Sequence, residues 1–434
     1  MRKVLLALLL VGCSVVSYAL HVECVGKAAV LTNGSDTLLV FEKEPYLKTK
    51  VSVGKVEWYR LPDTITPIQP SSDYLDTYIG LEHGGGYMIK KGDIRNIFWV
   101  FDYEQLRAQV EDITATPDCY STLLDITGTI PTMQYTDLNG MTKTYRRECS
   151  VSYTSVQWDT ESQTWLDSAA VETVAFANTI NIGATPKATD IYVHDLLQDS
   201  LGISGDSLRT AIDQPIAIKA HPQAIVTTRG KTGDKSNEVE RPTDPETLLK
   251  RSAPLIVNFR ANALNAEYYD WRIRKGSEEL VQRADAQHEY TFNEPGNYTV
   301  VLGMSNSYGC TMDTVTFDVA VSASMLLVPN VFTPNGDGTH DEFRVVYRSL
   351  KEFQIHVYNR LGHLVYTSTD PSKGWDGKIN GKDAAAGAYY YVIRALGTDA
   401  EMEYISKPEY TRKMKKGELP LGVYQMSGDI NLLR

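Results

Sequence analysis

The chain has 434 residues, a formal net charge of −11 and 26 tyrosines. This length exceeds what a single hydrophobic core usually supports, so several domains are expected. The acidic balance argues against nucleic acid or an anionic lipid surface as a partner, because both are negatively charged. Short apolar stretches of alternating pattern, separated by turn residues and without sustained helical periodicity, predict an all-β fold.

Residues 1–19 have the plan of a cleaved secretory signal, with basic residues ahead of the apolar run Val4–Val11. This run is too short to cross a hydrocarbon layer about 30 Å thick, and no later segment is apolar over a spanning length. The small-x-small pattern Ser17-Tyr-Ala19 predicts a mature chain that starts at Leu20. The alternative is a lipoprotein signal at Leu10-Val-Gly-Cys13, with Cys13 acylated.

Removal of the predicted signal leaves an even number of cysteines: Cys24, Cys119, Cys149 and Cys310. An even number in an exported protein indicates disulfides. A disulfide between Cys119 and Cys149 is favoured because both fall in one predicted domain, whereas Cys24 and Cys310 are either free or linked across domains. No cysteine or histidine spacing of a zinc site occurs, and we expect neither a metal nor a cofactor.

The first half of the chain predicts two small β domains, at residues 20–102 and 103–181. The first has the strand spacing of an immunoglobulin-like sandwich, and the alternation in Val56-Glu-Trp-Tyr59 places Trp58 on a buried face. In the second, Asp137-Leu-Asn-Gly140 supplies a hairpin turn. The strand candidates are Ala28–Leu31, Thr37–Phe41, Val56–Tyr59, Tyr87–Ile89 and Ile97–Phe101 in the first domain, and Tyr120–Ile126, Lys143–Arg147, Ser150–Trp158 and Val171–Phe176 in the second.

Residues 182–251 are predicted to be irregular or extended. A helix is expected around Tyr192–Leu197, and extended structure over Ile216–Thr228. The following stretch, Arg229–Lys250, is rich in charged residues, threonine and proline and has almost no apolar residues. Such a segment cannot bury enough surface to order itself, so it is interpreted as a charged linker or a long exposed loop.

Residues 252–322 carry the pattern of a further sandwich. Aromatic and apolar residues alternate with polar ones in Tyr268–Ile273 and again in Tyr298–Leu302, as in half-buried strands. Together with Ala253–Phe259 and Asn306-Ser-Tyr-Gly-Cys310, these segments resemble a PKD domain. The resemblance implies an immunoglobulin-like sandwich of the kind found in surface proteins.

Residues 323–434 contain five motif blocks in succession. They are Val328-Pro-Asn-Val-Phe-Thr-Pro-Asn-Gly-Asp-Gly-Thr-His-Asp341, Val357-Tyr-Asn-Arg-Leu-Gly362, Gly374-Trp-Asp-Gly377, Gly387-Ala-Tyr-Tyr-Tyr391 and Gly428-Asp-Ile-Asn-Leu-Leu-Arg434. In this order they resemble the gliding-motility-associated C-terminal domain, the type B sorting domain of the bacterial type IX secretion system. The resemblance implies a C-terminal β-sandwich with the sorting motif at Asn335, Gly336, Asp337, Gly338, Asp341, Asn359, Arg360, Gly362, Trp375, Asp376 and Gly377.

The same resemblance implies an exported protein that passes through the periplasm to the cell surface, the outer membrane or the medium. Its implied partner is the type IX secretion outer-membrane machinery. The upstream sandwiches are expected to bind envelope proteins or glycans, and the modest length also suits a PorA-like accessory protein of the secretion system.

The histidines, eight in all, are scattered without a known catalytic or metal-binding spacing. We therefore expect a noncatalytic protein. The alternative is a degradative enzyme, a glycan or peptide hydrolase, displayed by the same route.

The first motif block admits a second interpretation. Oxygen-bearing side chains recur at Asn335, Asp337, Thr339 and Asp341, which partly resembles a calcium loop. The closing bidentate glutamate of such a loop is missing, so turn chemistry is favoured.

The C-terminal domain departs from the family pattern in three places. His340 and Leu361 stand where the family usually has asparagine and an aromatic residue. A basic segment with Arg412, Lys413, Lys415 and Lys416 is inserted before the last block. It is interpreted as a solvated loop, with docking of an acidic partner as the alternative.

Overall fold

The computed structural model describes residues 14–17, 20–50, 56–72, 76–205, 207–230, 236–243, 249–402, 404–405 and 419–434. The chain divides into two compact units, Met1–Ala217 and Ile218–Arg434. Each unit contains two β-sandwiches, so the predicted all-β fold of tandem immunoglobulin-like sandwiches is confirmed. Within the predicted signal, only Ser14–Ser17 is described, as a strand paired with Leu20–Val25.

The first sandwich packs a six-stranded sheet on a four-stranded sheet. Its elements are Ser14–Ser17 (β1), Leu20–Val25 (β2), Ala28–Asn33 (β3), Asp36–Phe41 (β4), Tyr46–Lys50 (β5), Val56–Arg60 (β6), Gln69–Ser72 (β7), Asp76–Gly80 (β8), Gly86–Lys91 (β9), Ile94–Asp102 (β10) and the helix Tyr103–Leu106 (α1). The sheets run β1-β2-β5-β8 and β3-β4-β10-β9-β6-β7. As predicted, Trp58 is buried, and its ring meets that of Phe98 edge-on at 6.4 Å.

The second sandwich has one sheet of three strands and one of four. Its elements are Gln109–Pro117 (β11), Ser121–Thr129 (β12), Met133–Thr136 (β13), Thr142–Tyr145 (β14), Glu148–Asp159 (β15), Thr164–Ala175 (β16), Thr179–Gly183 (β17), Thr189–Asp195 (β18), the helix Leu196–Leu201 (α2) and Leu208–Ile212 (β19). The sheets run β11-β12-β17 and β16-β15-β18-β19, and β13 and β14 form a separate hairpin.

This sandwich extends beyond the predicted boundary at Asn181. β17 pairs with β12, β18 with β15 and β19 with β18, so the chain up to Ile212 completes the two sheets. The helix expected around Tyr192–Leu197 begins only at Leu196. Tyr192 lies in β18 instead, because its buried neighbours Ile191 and Val193 alternate with polar residues as strand residues do.

The third sandwich is built from residues on both sides of the predicted linker. Its strands are Lys219–Ala220 (β20), Gln223–Val226 (β21), Lys250–Ser252 (β22), Leu255–Arg260 (β23), Ala263–Leu264 (β24), Tyr268–Lys275 (β25), Glu278–Arg283 (β26), Gln287–Phe292 (β27), Gly296–Ser305 (β28) and Thr311–Ser322 (β29). The sheets run β21-β23-β27 and β22-β29-β28-β25-β26, with β20 paired to β24. The predicted sandwich is confirmed, but it starts earlier in the chain, at β20 instead of residue 252. Its resemblance to a PKD domain stays a prediction.

The fourth sandwich is arranged around one five-stranded sheet. Its strands are Met325–Leu327 (β30), Val331–Phe332 (β31), Val346–Arg348 (β32), Leu350–Tyr358 (β33), Leu364–Ser368 (β34), Lys378–Ile379 (β35), Lys382–Asp383 (β36), Gly387–Gly397 (β37) and Val423–Leu432 (β38). The main sheet runs β31-β38-β37-β33-β34, with β30 paired to β32 and β35 to β36. β31 runs parallel to β38, and every other pair in this sheet is antiparallel.

The first and second sandwiches share an apolar junction. Trp99 and Phe101 of the first sandwich are buried in one cluster with Tyr135 and Leu197 of the second. The Trp99 indole N–H also donates to the carbonyl of Thr136 at 2.8 Å. Because the cluster is continuous, the two sandwiches bury part of their core surface against each other.

Candidate functional site

The motif blocks of the fourth sandwich meet at one end of its main sheet. Tyr358, where β33 ends, pairs with Tyr390 near the start of β37, and Gly387 pairs with Leu432 near the end of β38. Phe332, the last residue of β31, also pairs with Leu432. The loops that follow β31 and β33 therefore emerge at the same end of the sheet. We call this end, with loops 333–341, 359–363 and 374–377, the motif end.

Loop 333–341 is organised by its own side-chain oxygens. The two carboxylate oxygens of Asp341 accept from the N–H groups of Gly336 at 2.6 Å and Gly338 at 2.8 Å. Asn335 and Asp337 each accept from the N–H two residues further on. The backbone N–H of Thr339, as the main cause, holds the pKa of Asp337 below its ordinary value. These oxygens are occupied by backbone donors, which favours turn chemistry over a calcium loop.

The backbone of this loop explains the departure at His340. Gly336 and Gly338 have φ values of 81° and 86°, and His340 has a φ of 55°. This left-handed region is open to glycine and is enriched among other residues in Asn, Asp and His. Histidine therefore fits the position at which the family usually has asparagine.

The Gly374-Trp-Asp-Gly377 block seats its tryptophan beneath the motif end. The Trp375 ring is buried against Phe332 at 5.4 Å and Tyr389 at 4.9 Å between ring centroids. Its indole N–H donates to the carbonyl of Lys378 at 2.9 Å, and the Asp376 carboxylate accepts from the Lys378 N–H at 3.0 Å. The block thus forms a tight loop whose aromatic side chain joins the core.

Gly377 is the point at which two motif loops touch. Its φ is 71°, and a Cβ added there would lie 2.9 Å from Pro334 Cγ and 3.2 Å from Leu432 Cδ1. A side chain at this position would separate loop 374–377 from loop 333–341. Glycine is therefore required both by the backbone angle and by the close approach.

Loop 359–363 is a tight hairpin between β33 and β34. The Asn359 side-chain oxygen accepts from the N–H groups of Leu361 and His363, both at 3.0 Å. Gly362, with a φ of 81°, lets the chain reverse. Arg360, Leu361 and Gly362 are exposed at the tip, where a partner can contact them.

Arg434 is a member of the motif end that sequence reasoning missed. Its guanidinium donates to the carbonyl of Gly377 at 3.0 Å and pairs with the Asp383 carboxylate at 2.6 Å. The hydrogen bond from Arg434 is the main cause that lowers the pKa of Asp383. No spacing in the sequence signals this contact, because it depends on how β38 and the loop after Trp375 are brought together.

The candidate docking residues Arg412, Lys413, Lys415 and Lys416 lie outside the described residues. Ile405, before this segment, packs against a small cluster that contains Leu396 and Val423. Those residues belong to the end of β37 and the start of β38, so Ile405 lies at the opposite end of the sheet from the motif end.

The expected Cys119–Cys149 disulfide is wrong. Cys149 is a free, fully buried thiol in β15, with its pKa raised by burial to about 12, and Cys119 is disulfide-bonded elsewhere. Cys149 lies near Ala175, at the end of the sandwich where Asp125 of β12 pairs with Thr179 of β17. Cys119 precedes the start of β12, so it lies on the order of 20 Å from Asp125 along the strand direction. A disulfide requires Cα atoms within about 7 Å.

Among the residues that the structure describes, no group of three or more His, Cys, Asp or Glu side chains is placed to hold a metal ion. None of the helices found in the described ranges has the length and apolar character needed to cross a membrane.

Comparisons with known proteins identify two segments. Residues 326–407 match the CHU_C type IX secretion signal domain, and residues 112–210 match a fibronectin type III domain. The first match includes loops 333–341, 359–363 and 374–377. The second agrees with the extent of the second sandwich from β11 to β19. No curated protein matches this chain.

Two solved structures of multidomain proteins show a low similarity to this chain. The FN1–FN3 domains of chicken CNTN1 share 11% identity with a TM-score of 0.20, over 75% of this chain and 98% of that one. The N-terminal four Ig domains of Dscam1 isoform 1.9 share 12% identity with a TM-score of 0.21, over 95% of this chain and 98% of that one.

A type IX secretion signal domain indicates export by the type IX system to the cell surface or the medium. The chain therefore carries a type IX secretion signal domain in its C-terminal region, preceded by a fibronectin type III or immunoglobulin-like domain.

Proposed function

We propose that this protein is a noncatalytic secreted or surface protein whose fourth sandwich is recognised by the type IX secretion outer-membrane machinery at the motif end. The observation that supports this proposal is the contact between separate motif blocks. Gly377 closes onto Pro334, Trp375 packs on Phe332, and Arg434 binds the Gly377 carbonyl. Residues far apart in sequence are thus held together at one end of the sheet.

In this proposal the upstream sandwiches bind envelope proteins or glycans. Tandem fibronectin type III and immunoglobulin-like domains commonly serve as binding modules, and the fibronectin type III match supports this role. The full exported chain, used as bait on envelope fractions and incubated with glycan and peptide panels, distinguishes binding from turnover. Product release from either panel would contradict the noncatalytic assignment.

The recognition proposal is tested with the full, tagged chain in a type IX-competent host and in an isogenic host that lacks the system. We expect surface labelling of the wild type only in the competent host. The Gly377→Ala variant is expected to accumulate inside the cell. Its added Cβ would lie 2.9 Å from Pro334 Cγ and would separate loop 374–377 from loop 333–341.

Gly381→Ala is the matched control. It has a similar φ of 76°, but no heavy atom lies within 4 Å of the added Cβ. Both substitutions carry the same backbone strain of about 1 kcal/mol, so only the closure of the motif end differs. Equal surface labelling of the two variants would contradict recognition at the motif end, and wild type that stays periplasmic in the competent host would contradict delivery itself.

A further inference from the structure

Part of the predicted linker is held against the fourth sandwich. We call residues 236–243 the strap. Within it, Glu238 forms a parallel bridge with Tyr347 of β32. The Val239 N–H donates to the Tyr347 carbonyl at 2.8 Å, and the Tyr347 N–H donates to the Asn237 carbonyl at 3.3 Å. Because β32 pairs with β30 on its other edge, the strap lies along the remaining edge of this two-stranded sheet, joined to it by an isolated bridge.

The Glu238 carboxylate is the buried centre of the strap, with its side chain only 7% exposed. It accepts from the Arg229 guanidinium at 2.7 Å and from the Ser252 hydroxyl at 2.9 Å, and the Arg241 guanidinium lies 3.9 Å away. A buried carboxylate is tolerated only when it is paired and hydrogen-bonded in this way. Ser252 lies in β22 of the third sandwich and Arg229 follows β21, so the strap is anchored on that side as well.

Glu240 links the strap to both sandwiches. Its carboxylate accepts from the Arg348 guanidinium at 2.9 Å, and its carbonyl accepts from the Ser252 N–H at 3.1 Å. Arg348 belongs to β32 of the fourth sandwich and Ser252 to β22 of the third. Two adjacent domains are therefore held by one short segment.

The composition of the strap indicates what its order depends on. Among residues 236–243 the apolar side chains are Val239 and Pro242, which is too few to order the segment by burial. Its fixed position depends on polar contacts with Tyr347, Arg348, Arg229 and Ser252. Loss of these contacts is expected to release the strap from β32.

We propose that the strap and the third sandwich are part of the sorting signal, so that the export machinery receives residues 218–434 as one folded unit rather than the fourth sandwich alone. This inference rests on the proposed function and extends the recognised element towards the N-terminus. The strap covers the open edge of β32 and fixes the fourth sandwich beside its neighbour.

The test uses the full chain with Glu238→Gln, which keeps the shape of the side chain and removes its charge. Hydrogen exchange of the strap and of Tyr347 is expected to quicken about tenfold, the factor for loss of one charged hydrogen bond. Surface labelling in the type IX-competent host is expected to fall at least about threefold, since a released strap exposes β32.

Glu294→Gln is the matched control. It makes the same chemical change in the same unit, at the Lys275–Glu294 pair, where Glu294 is 73% exposed. We expect no change in exchange or in labelling. Should the Glu238→Gln variant fail to accumulate, Glu240→Gln, at the partly buried pair with Arg348, provides the second variant.

Faster strap exchange with normal surface labelling would overturn the inference and leave the proposed function standing, because the strap would then be structural only. Unchanged exchange would also overturn it. Failure of the wild type to reach the surface would overturn the proposed function and this inference together.

Discussion

The two units join their sandwiches by different means. In the first unit, Trp99 and Phe101 continue into the core of the second sandwich, and the buried pair Arg147–Asp195 lies beside that cluster with side chains only 3% and 5% exposed. In the second unit, the connection consists of polar contacts: those of the strap, with its bridge to β32, and those of the Ser349 hydroxyl with the third sandwich. The first junction is part of a hydrophobic core, and the second is a surface made of hydrogen bonds and ion pairs.

This difference has a consequence for cooperativity. Apolar burial couples two domains through a large shared area, so opening one exposes the core of the other. Polar contacts couple them through a few directional bonds that water can replace. The first unit is therefore expected to open as a whole, whereas the fourth sandwich can separate from the third without unfolding.

The largest expected effect comes from Arg147→Ala in the first junction. Arg147 donates to the carbonyls of Leu106 and Pro131 and to Asp195 at 2.6 Å. Its removal leaves the buried Asp195 charge without its cation, which is expected to cost about 3–5 kcal/mol of unfolding free energy. Hydrogen exchange of β15 and β18 amides measures this loss in the first unit alone.

Arg209→Ala is the control for that experiment. It breaks the Arg209–Asp190 pair in the same sandwich, whose side chains are 64% and 42% exposed. The expected loss is below about 1 kcal/mol, because exposed pairs contribute little. Equal losses for the two variants would mean that the first junction is not a buried electrostatic site.

An intermediate effect is expected from Ser349→Ala in the second junction. The buried Ser349 hydroxyl accepts from the Ala253 N–H at 3.0 Å and donates to the Ser322 carbonyl at 2.7 Å. Alanine leaves both backbone groups without this partner, at an expected cost of about 1–3 kcal/mol. Thermal unfolding of the full chain is the measurement, with the exposed Ser427→Ala as control. A loss as large as that of Arg147→Ala would remove the contrast between the junctions.

The smallest expected effect is a pH dependence inside the third sandwich, away from the strap. The His288 ring lies 5.2 Å from Trp271 and 5.3 Å from Phe259, and burial lowers its pKa, with Arg283 acting in the same direction and Asp285 against it. The unfolded chain then binds a proton more readily than the folded one. Stability conferred by neutral His288 is therefore present above a pH of about 6.5 and lost as the pH falls below it.

His288→Phe, which does not titrate, is expected to flatten this dependence between about pH 6.5 and 5. Strap exchange measured over the same range separates the two events. If the strap opens with the same pH dependence as the third sandwich, its release is a consequence of unfolding and not an independent motion.

Local patterns allowed much of this fold to be predicted. The alternation of apolar and polar residues predicted the strands β3, β4, β6, β9 and β10 and the burial of Trp58. This was possible because a strand's periodicity is encoded in neighbouring residues. The end of the second sandwich was misplaced because β18 is assigned to it only by pairing with β15, which is distant in sequence. The strap was predicted to be a linker for the same reason, since its order depends on Tyr347 and Arg348.

The motif end was predicted in part. Asn335, Asp337 and Asp341 act as the turn-forming side chains that their types suggested. Their assembly at one end of the sheet, and the roles of Arg434 and Pro334 there, follow from strand order, which no local pattern specifies. Recognition of these residues by the export machinery stays a prediction.

The position of β38 gives the fourth sandwich a further property. This last strand lies between β31 and β37, so Val331 and Phe332 have no partner in the main sheet until residues 431 and 432 are present. A chain that stops before Val423 still contains the first four motif blocks, yet it cannot close the sheet that holds them. Residues 423–432 must therefore be present before the motif end can form, and export through this surface would depend on them.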